Sequence, residues 1–157
     1  MRVALGSDHA GVALKNELKR AFDKAALGDN PLHTCIDVGT HTEESVDYPE
    51  FAKHVAEGVA TSTFDRGILV CGSGIGMSIA ANKVAGVRAA LIHDVDSARL
   101  CREHNDANII ALAGRTLDTG TALSIVKVFL ETTFAGGRHQ RRLERITDIE
   151  RQVKGKP

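Results

Sequence analysis

Short apolar and β-branched runs alternate along this chain with longer stretches whose apolar residues recur every three or four positions. Residues 2–6 read as a first strand. From Leu14 onward, Leu14, Leu18, Ala21, Phe22 and Ala25 share one helical face. The polar stretch 28–33 predicts a loop, and 34–39 a second strand. Asp47 as N-cap, Pro49 in the first turn and Glu50 three residues after the cap predict a helix start, with Phe51, Ala52, Val55, Ala56 and Val59 as its buried stripe. Residues 67–72 form a continuous apolar run, the pattern of a strand covered on both faces. A glycine-rich turn and a helix over 77–83 follow. Residues 86–92 and 108–113 are the fourth and fifth strands, with a helix over 95–104 capped near Asp94 between them. A fifth helix is predicted over 119–134.

Five strands each followed by a helix predict an α/β fold: a doubly wound, five-stranded parallel sheet in a three-layer sandwich of Rossmann or flavodoxin type. The expected strand orders are 2-1-3-4-5 or close relatives, which set strands 1 and 3 side by side. A ligand crevice then opens where their C-terminal ends diverge. The Asp8-His9 turn and the Cys71 turn both lead into it. After Gly136-Gly137 a last helix is expected over 138–154, its narrow apolar seam formed by Leu143, Ile146, Ile149 and Val153. Residues 138–157 hold seven basic against three acidic residues. That helix reads either as an arm packing on a second subunit or as an element docked on its own domain.

At 157 residues the chain is expected to form a single domain, 1–157. Lys plus Arg equals Asp plus Glu, 20 against 20, so no overall charge draws it to nucleic acid or anionic lipid. No apolar run nears the roughly 20 residues of a membrane span, and the first residues lack the apolar stretch of a secretory signal, so a cytoplasmic location is expected. Cys35, Cys71 and Cys101 make an odd count without a C-x-x-C pair, against a disulfide framework or thiolate zinc site.

Candidate chemistry concentrates in C-G-S-G-I-G-M-S, Cys71 to Ser78. Its glycines let successive N–H groups turn toward one point, an anion-binding nest. G-x-G-x-G is not the dinucleotide fingerprint, and Val12-Ala13 after the Gly6–Gly11 spacing is not a P-loop. Cys71 ends a strand at the crevice, where aligned N–H groups can lower a thiol from about 8.5 toward neutrality and make it a base or nucleophile. Cys35 and Cys101 read as small buried hydrophobes. His104, in R-E-H-N-D, reads as a helix-end feature or as a general acid or base. Arg138 and Arg142 share a helix face, suited to clamping a phosphate or to lying solvated. His33, His41, His54 and His93 show no metal-ligand spacing, so metal-free acid–base work on a small anion is expected.

Taken together, G-S-D-H-A-G (6–11), S-V-D-Y-P (45–49), C-G-S-G-I-G-M-S-I-A-A-N-K (71–83), R-E-H-N-D-A-N (102–108) and G-G-R-H-Q-R-R (136–142) resemble the type B ribose-5-phosphate isomerases, a family shared with bacterial galactose-6-phosphate isomerase subunits. The resemblance runs from Arg2 to about Arg151. It implies a cofactor-free aldose–ketose isomerase of the pentose phosphate pathway, acting on ribose 5-phosphate and ribulose 5-phosphate through an enediolate. It implies Cys71 as base, Ser73 as the residue positioning oxygens, and His104 opening the sugar ring. Substrate contacts fall by analogy on Asp8, His9, Tyr48, Gly72, Gly74, Ile75, Gly76, Asn105, Arg115, Arg138 and Arg142, with Asp47 lining the pocket. The pocket is implied to lie between subunits of a homodimer or tetramer, with the C-terminal helix reaching across. Another subgroup has Glu as base where Met77 stands here, so the chain resembles the cysteine type. Residues 25–31 are longer than in compact members, and Asp96 replaces an aromatic; both bear on the pocket rim. A six-carbon aldose phosphate is the alternative substrate, and a non-catalytic nucleotide- or flavin-binding module the alternative from another class.

Overall fold

The computed structural model describes residues 1–24 and 33–154; the predicted loop at 28–33 lies almost wholly, and the long segment 25–31 entirely, outside them. In chain order they form β1 (Arg2–Ser7), a 3-10 turn (His9–Gly11), α1 (Val12–Asp23), β2 (Thr34–Asp37), α2 (Tyr48–Ala60), β3 (Arg66–Cys71), α3 (Ile75–Ala81), β4 (Ala89–Leu91), α4 (Val95–Asn105), β5 (Ile109–Ala113), α5 (Thr119–Glu131) and α6 (Arg138–Lys154). All strand pairs are parallel and the order is β2-β1-β3-β5-β4.

β1 and β3 are neighbours, as expected, but the far half of the sheet runs β3-β5-β4 rather than β3-β4-β5. Burial explains the exchange. β5 is buried at all five positions and takes the interior place, whereas β4 is three residues long, half-buried at two of them, and takes the edge. β4 is also shorter than the predicted 86–92, because the Arg88 N–H goes to Asn108 Oδ1 instead of a neighbouring strand. The order sets the layers. Right-handed crossovers moving one way across a sheet put their helices on one face, and those moving back use the other. The step from β4 back to β5 therefore places α4 with α1 and α5, opposite α2 and α3.

Two cores follow. Val3 and Leu5 meet Leu14, Leu18, Ile125 and Phe129 on the first face, while Ala4 and Leu69 meet Val55, Ala56 and Met77 on the second. Each of the larger side chains, from valine to phenylalanine, contributes about 1.5–3 kcal/mol when fully buried. Lys15 is also wholly buried, its Nζ 2.7 Å from Asp37 Oδ2 and 3.4 Å from His41 Nδ1. The other Asp37 oxygen accepts the Gly39 N–H at 3.0 Å, so this pair pins α1 to the turn that leaves β2.

Asp47 occupies the N-cap position of α2 with Pro49 behind it, but its carboxylate makes no capping hydrogen bond; the Glu50 N–H goes to its backbone carbonyl at 3.3 Å. α5 stops at Glu131 rather than 134, where β-branched Thr132 turns extended. Gly136 and Gly137 both adopt positive φ, and α6 starts immediately after them.

Candidate active site

Parallel register brings the C-terminal ends of β1, β3 and β5 level, Ser7 beside Val70 and Cys71 beside Ala113. Above them opens a cavity of about 620 Å³. Asp8, His9, Tyr48, Cys71, Gly72, Ser73, Ile75, Gly76 and Arg115 all line it, so nine predicted residues from four separate segments meet at one place.

Cys71 is 5% exposed, and its Sγ accepts the Gly74 N–H at 3.2 Å. Gly74 supplies that donor because its φ of +75 reverses the chain. A Cβ there would also stand 2.5 Å from Leu91 Cδ1. Burial pushes Cys35 up to about 12 and Cys101 up to about 11, so both stay protonated at neutral pH. Ser73 Oγ accepts the Ile75 N–H at 3.3 Å. Two of the N–H groups assigned to the nest are thus committed to side chains of the loop itself.

The rest of the rim depends on close packing. Gly114 and Arg115 donate to the carbonyls of Cys71 and Gly72 at 2.8 and 3.2 Å, which lays the Arg115 guanidinium beside Gly72. Tyr48, the first residue of α2, rests on Gly76; a Cβ at Gly76 would lie 2.7 Å from Tyr48 Cζ. Asp8 Oδ1 caps the 3-10 turn through the Gly11 N–H at 3.0 Å. His9 Nδ1 accepts the Val46 N–H at 3.3 Å, so the neutral ring carries its proton on Nε2. His93, which sequence reasoning passed over as a histidine without ligand spacing, also lines the cavity. Its position just after a strand at the C-terminal edge of a parallel sheet was the available signal.

His104, Asn105, Arg138 and Arg142 do not join this group. In the register, β5 begins at Ile109 beside Gly67, four residues below the level of Cys71. Asn105 ends α4 ahead of that point. The length of the sheet, roughly 13 Å, therefore separates His104 from Cys71 within one chain. His104 instead stacks on His139, ring centroids 4.2 Å apart and planes 7° from parallel. Arg138 Nε points at His139 Nε2 at 3.5 Å. Burial first, and then His104, Arg138 and Arg142, hold His139 below the ordinary histidine value. The molecule thus has two separate clusters, a thiol cavity at one pole of the sheet and a His–Arg cluster at the other. Among the described residues no group of three His, Cys, Asp or Glu side chains is placed to hold a metal ion.

The chain matches, over residues 3–146, the family model described as Ribose/Galactose Isomerase. It is 44% identical over 151 residues to ribose-5-phosphate isomerase B of Escherichia coli, covering 96% of this chain and 97% of that protein. Ribose-5-phosphate isomerase B of Clostridium thermocellum superposes with a TM-score of 0.91 at 47% identity, over 98% of this chain and 99% of that one. The Mycoplasma genitalium enzyme solved with ribulose-5-phosphate bound superposes at 0.87 with 37% identity, over 96% of each chain.

Proposed function

Because the chain belongs to the ribose/galactose isomerase family and is an isomerase, we propose that it interconverts D-ribose 5-phosphate and D-ribulose 5-phosphate with Cys71 as the base. The observation that carries this is Cys71 Sγ at the floor of the cavity with the Gly74 N–H at 3.2 Å. That N–H is placed to hydrogen-bond the sulfur when it acts as the base. The thiolate takes the proton from C2 of the open aldose while the C1 carbonyl oxygen gains negative charge. The C2 hydroxyl proton then passes to O1 and the enediolate is reprotonated at C1, leaving the ketose. No atom is gained or lost. Ser73 accepts the Ile75 N–H, which leaves its hydroxyl hydrogen to donate to a sugar oxygen. Loop N–H groups and His9 Nε2–H supply further donors; such preorganised donors can each lower the barrier by about 3 kcal/mol.

The phosphate needs permanent positive charge. Arg115 provides some in the cavity, and Arg138 and Arg142 provide the rest from a second copy. That copy also supplies His104, which passes a proton between the ring oxygen and O1 to open the furanose. Two features support assembly as a homodimer. The two clusters lie a sheet's length apart, and apolar residues stand unpartnered on α3 (Ile75 52% and Ile79 57% exposed) and α6 (Ile146 47% and Ile149 62%). The reading carries with it a cytoplasmic role in pentose phosphate metabolism. Among the described residues no helix is long and apolar enough to cross a membrane.

Turnover of ribose 5-phosphate in heavy water tests the base. Carbon-bound deuterium is expected in the product, and Cys71→Ala should abolish both turnover and exchange while phosphate still binds. Product formed without deuterium, by a hydride shift, overturns the assignment. The reading uses no metal, so EDTA should leave the rate unchanged. A kcat/KM higher for six-carbon aldose phosphates than for ribose 5-phosphate would reassign the substrate.

A further inference from the structure

We infer that Asp106 is the positioning residue for His104, the carboxylate that holds the end of α4 at the angle ring opening needs; this rests on the role given to His104 above. α4 ends at Asn105, and Asp106 follows with φ 44 and ψ 44, a left-handed conformation. A helix end that needs only this turn is served by glycine, which adopts it without strain. Here the residue carries a side chain, and both of its oxygens are used. Oδ2 accepts from Arg88 Nη2 and Oδ1 from Arg102 Nη1, each at 2.8 Å.

The two guanidiniums come from different elements and are themselves anchored. Arg88, one residue before β4, also donates through Nε to the carbonyls of Asn105 and Asp106 at 3.0 Å. Arg102 is 3% exposed, gives a second bond to the Ala107 carbonyl at 2.6 Å and lies over the Phe129 ring of α5. Asp106 thus joins the entry to β4, the last turn of α4 and the entry to β5 at one carboxylate, two residues from His104. On its far side the His104 ring stacks on His139. Without the carboxylate, two guanidiniums face each other uncompensated, and the last turn of α4 loses the tie that sets the His104 backbone. General acid–base transfer depends on hydrogen-bond reach, so a small displacement of this ring costs rate.

Substrate chemistry separates positioning from folding. Ribose 5-phosphate is a furanose and must be opened. Ribulose 5-phosphate carries its phosphate on O5 and has no hydroxyl placed to close a five-membered ring on C2, so it enters open. Deuterium wash-in at its C1 in heavy water therefore reports enolisation alone, while conversion of ribose 5-phosphate reports ring opening as well. Asp106→Asn and Asp106→Gly, the second keeping the left-handed turn at no steric cost, are measured beside His104→Ala. Both Asp106 variants should slow ribose 5-phosphate conversion about tenfold while changing wash-in by no more than about twofold, the same direction of shift as His104→Ala. Should Asp106→Asn not fold, Arg88→Lys, which keeps the charge and loses the fork, should shift the ratio the same way by a smaller factor. Parallel loss of both rates in the Asp106 variants, or no loss, overturns the positioning role alone. An unchanged ratio in His104→Ala overturns the ring-opening reading and this inference with it.

Discussion

Gly76 shows how much a single hydrogen atom decides at the rim. It sits in the first turn of α3 with its Cα against the Tyr48 ring, and a methyl group there would reach within 2.7 Å of Cζ. Alanine suits a helix better than glycine by up to about 1 kcal/mol, so Gly76→Ala should not unfold α3. It should push Tyr48 off the cavity wall. The expected outcome is a raised KM for ribose 5-phosphate with an unchanged or higher melting temperature; an unaltered KM would remove Tyr48 from the binding wall. Local order and residue type made this part of the site readable in the sequence. The glycine turn, Cys71 at the end of an apolar run and the Asp8-His9 turn after the first strand are each contained in a few consecutive residues. That Cys71 rather than Cys35 or Cys101 lines the cavity was readable too, because Cys35 and Cys101 lie within apolar patterns and Cys71 ends one. His93 and the Asp106–Arg88–Arg102 junction were not readable, since each depends on which strands and helices stand beside one another.

That neighbourhood is set at the scale of the elements, where pattern alone gave an incomplete answer. Both 86–92 and 108–113 read as strands, and nothing in either says which is interior. The answer lies in relative length and burial, β5 filled on both faces and β4 cut short by the turn at Arg88. The exchange moves α4 to the α1 face, and the start of α6 then packs His139 on His104. This contact has a pH signature. Burial, reinforced by His104, Arg138 and Arg142 and opposed by Glu103, lowers His139 from its ordinary value near 6.5. Above 6.5 the ring is neutral in folded and unfolded chains alike and stability is unaffected. As pH falls through 6.5 the unfolded chain binds a proton the native state resists, so stability falls and goes on falling until the native pKa is passed. His33, also lowered by burial, acts in the same sense. His139→Phe keeps the ring stack and removes this titration. Urea midpoints measured between about pH 7.5 and 5.5 should therefore decline less in the variant than in the parent chain. An equal decline would mean that the His139 proton is not linked to folding.

At the scale of the whole molecule, the candidate residues of one chain fall in two places that cannot meet within it. Cys71 belongs to the C-terminal edge of the sheet and His104 to its opposite edge, while the apolar stripes of α3 and α6 remain exposed. The homodimer proposed above accounts for both facts, because in it an isologous contact presents the His–Arg pole of each subunit to the thiol cavity of the other and covers those stripes in the same step. It also sets a quantitative test. Cys71→Ala and His104→Ala homodimers are each impaired at both sites. In a mixed dimer one site collects both defects and the other collects neither. If subunits reassort at random after co-refolding, half of the dimers are mixed and each holds one intact site of two, so about a quarter of parent activity should return. Were each site built within one chain, every site in the mixture would still carry one defect, and activity would stay at the average of the two variants however long the subunits exchanged.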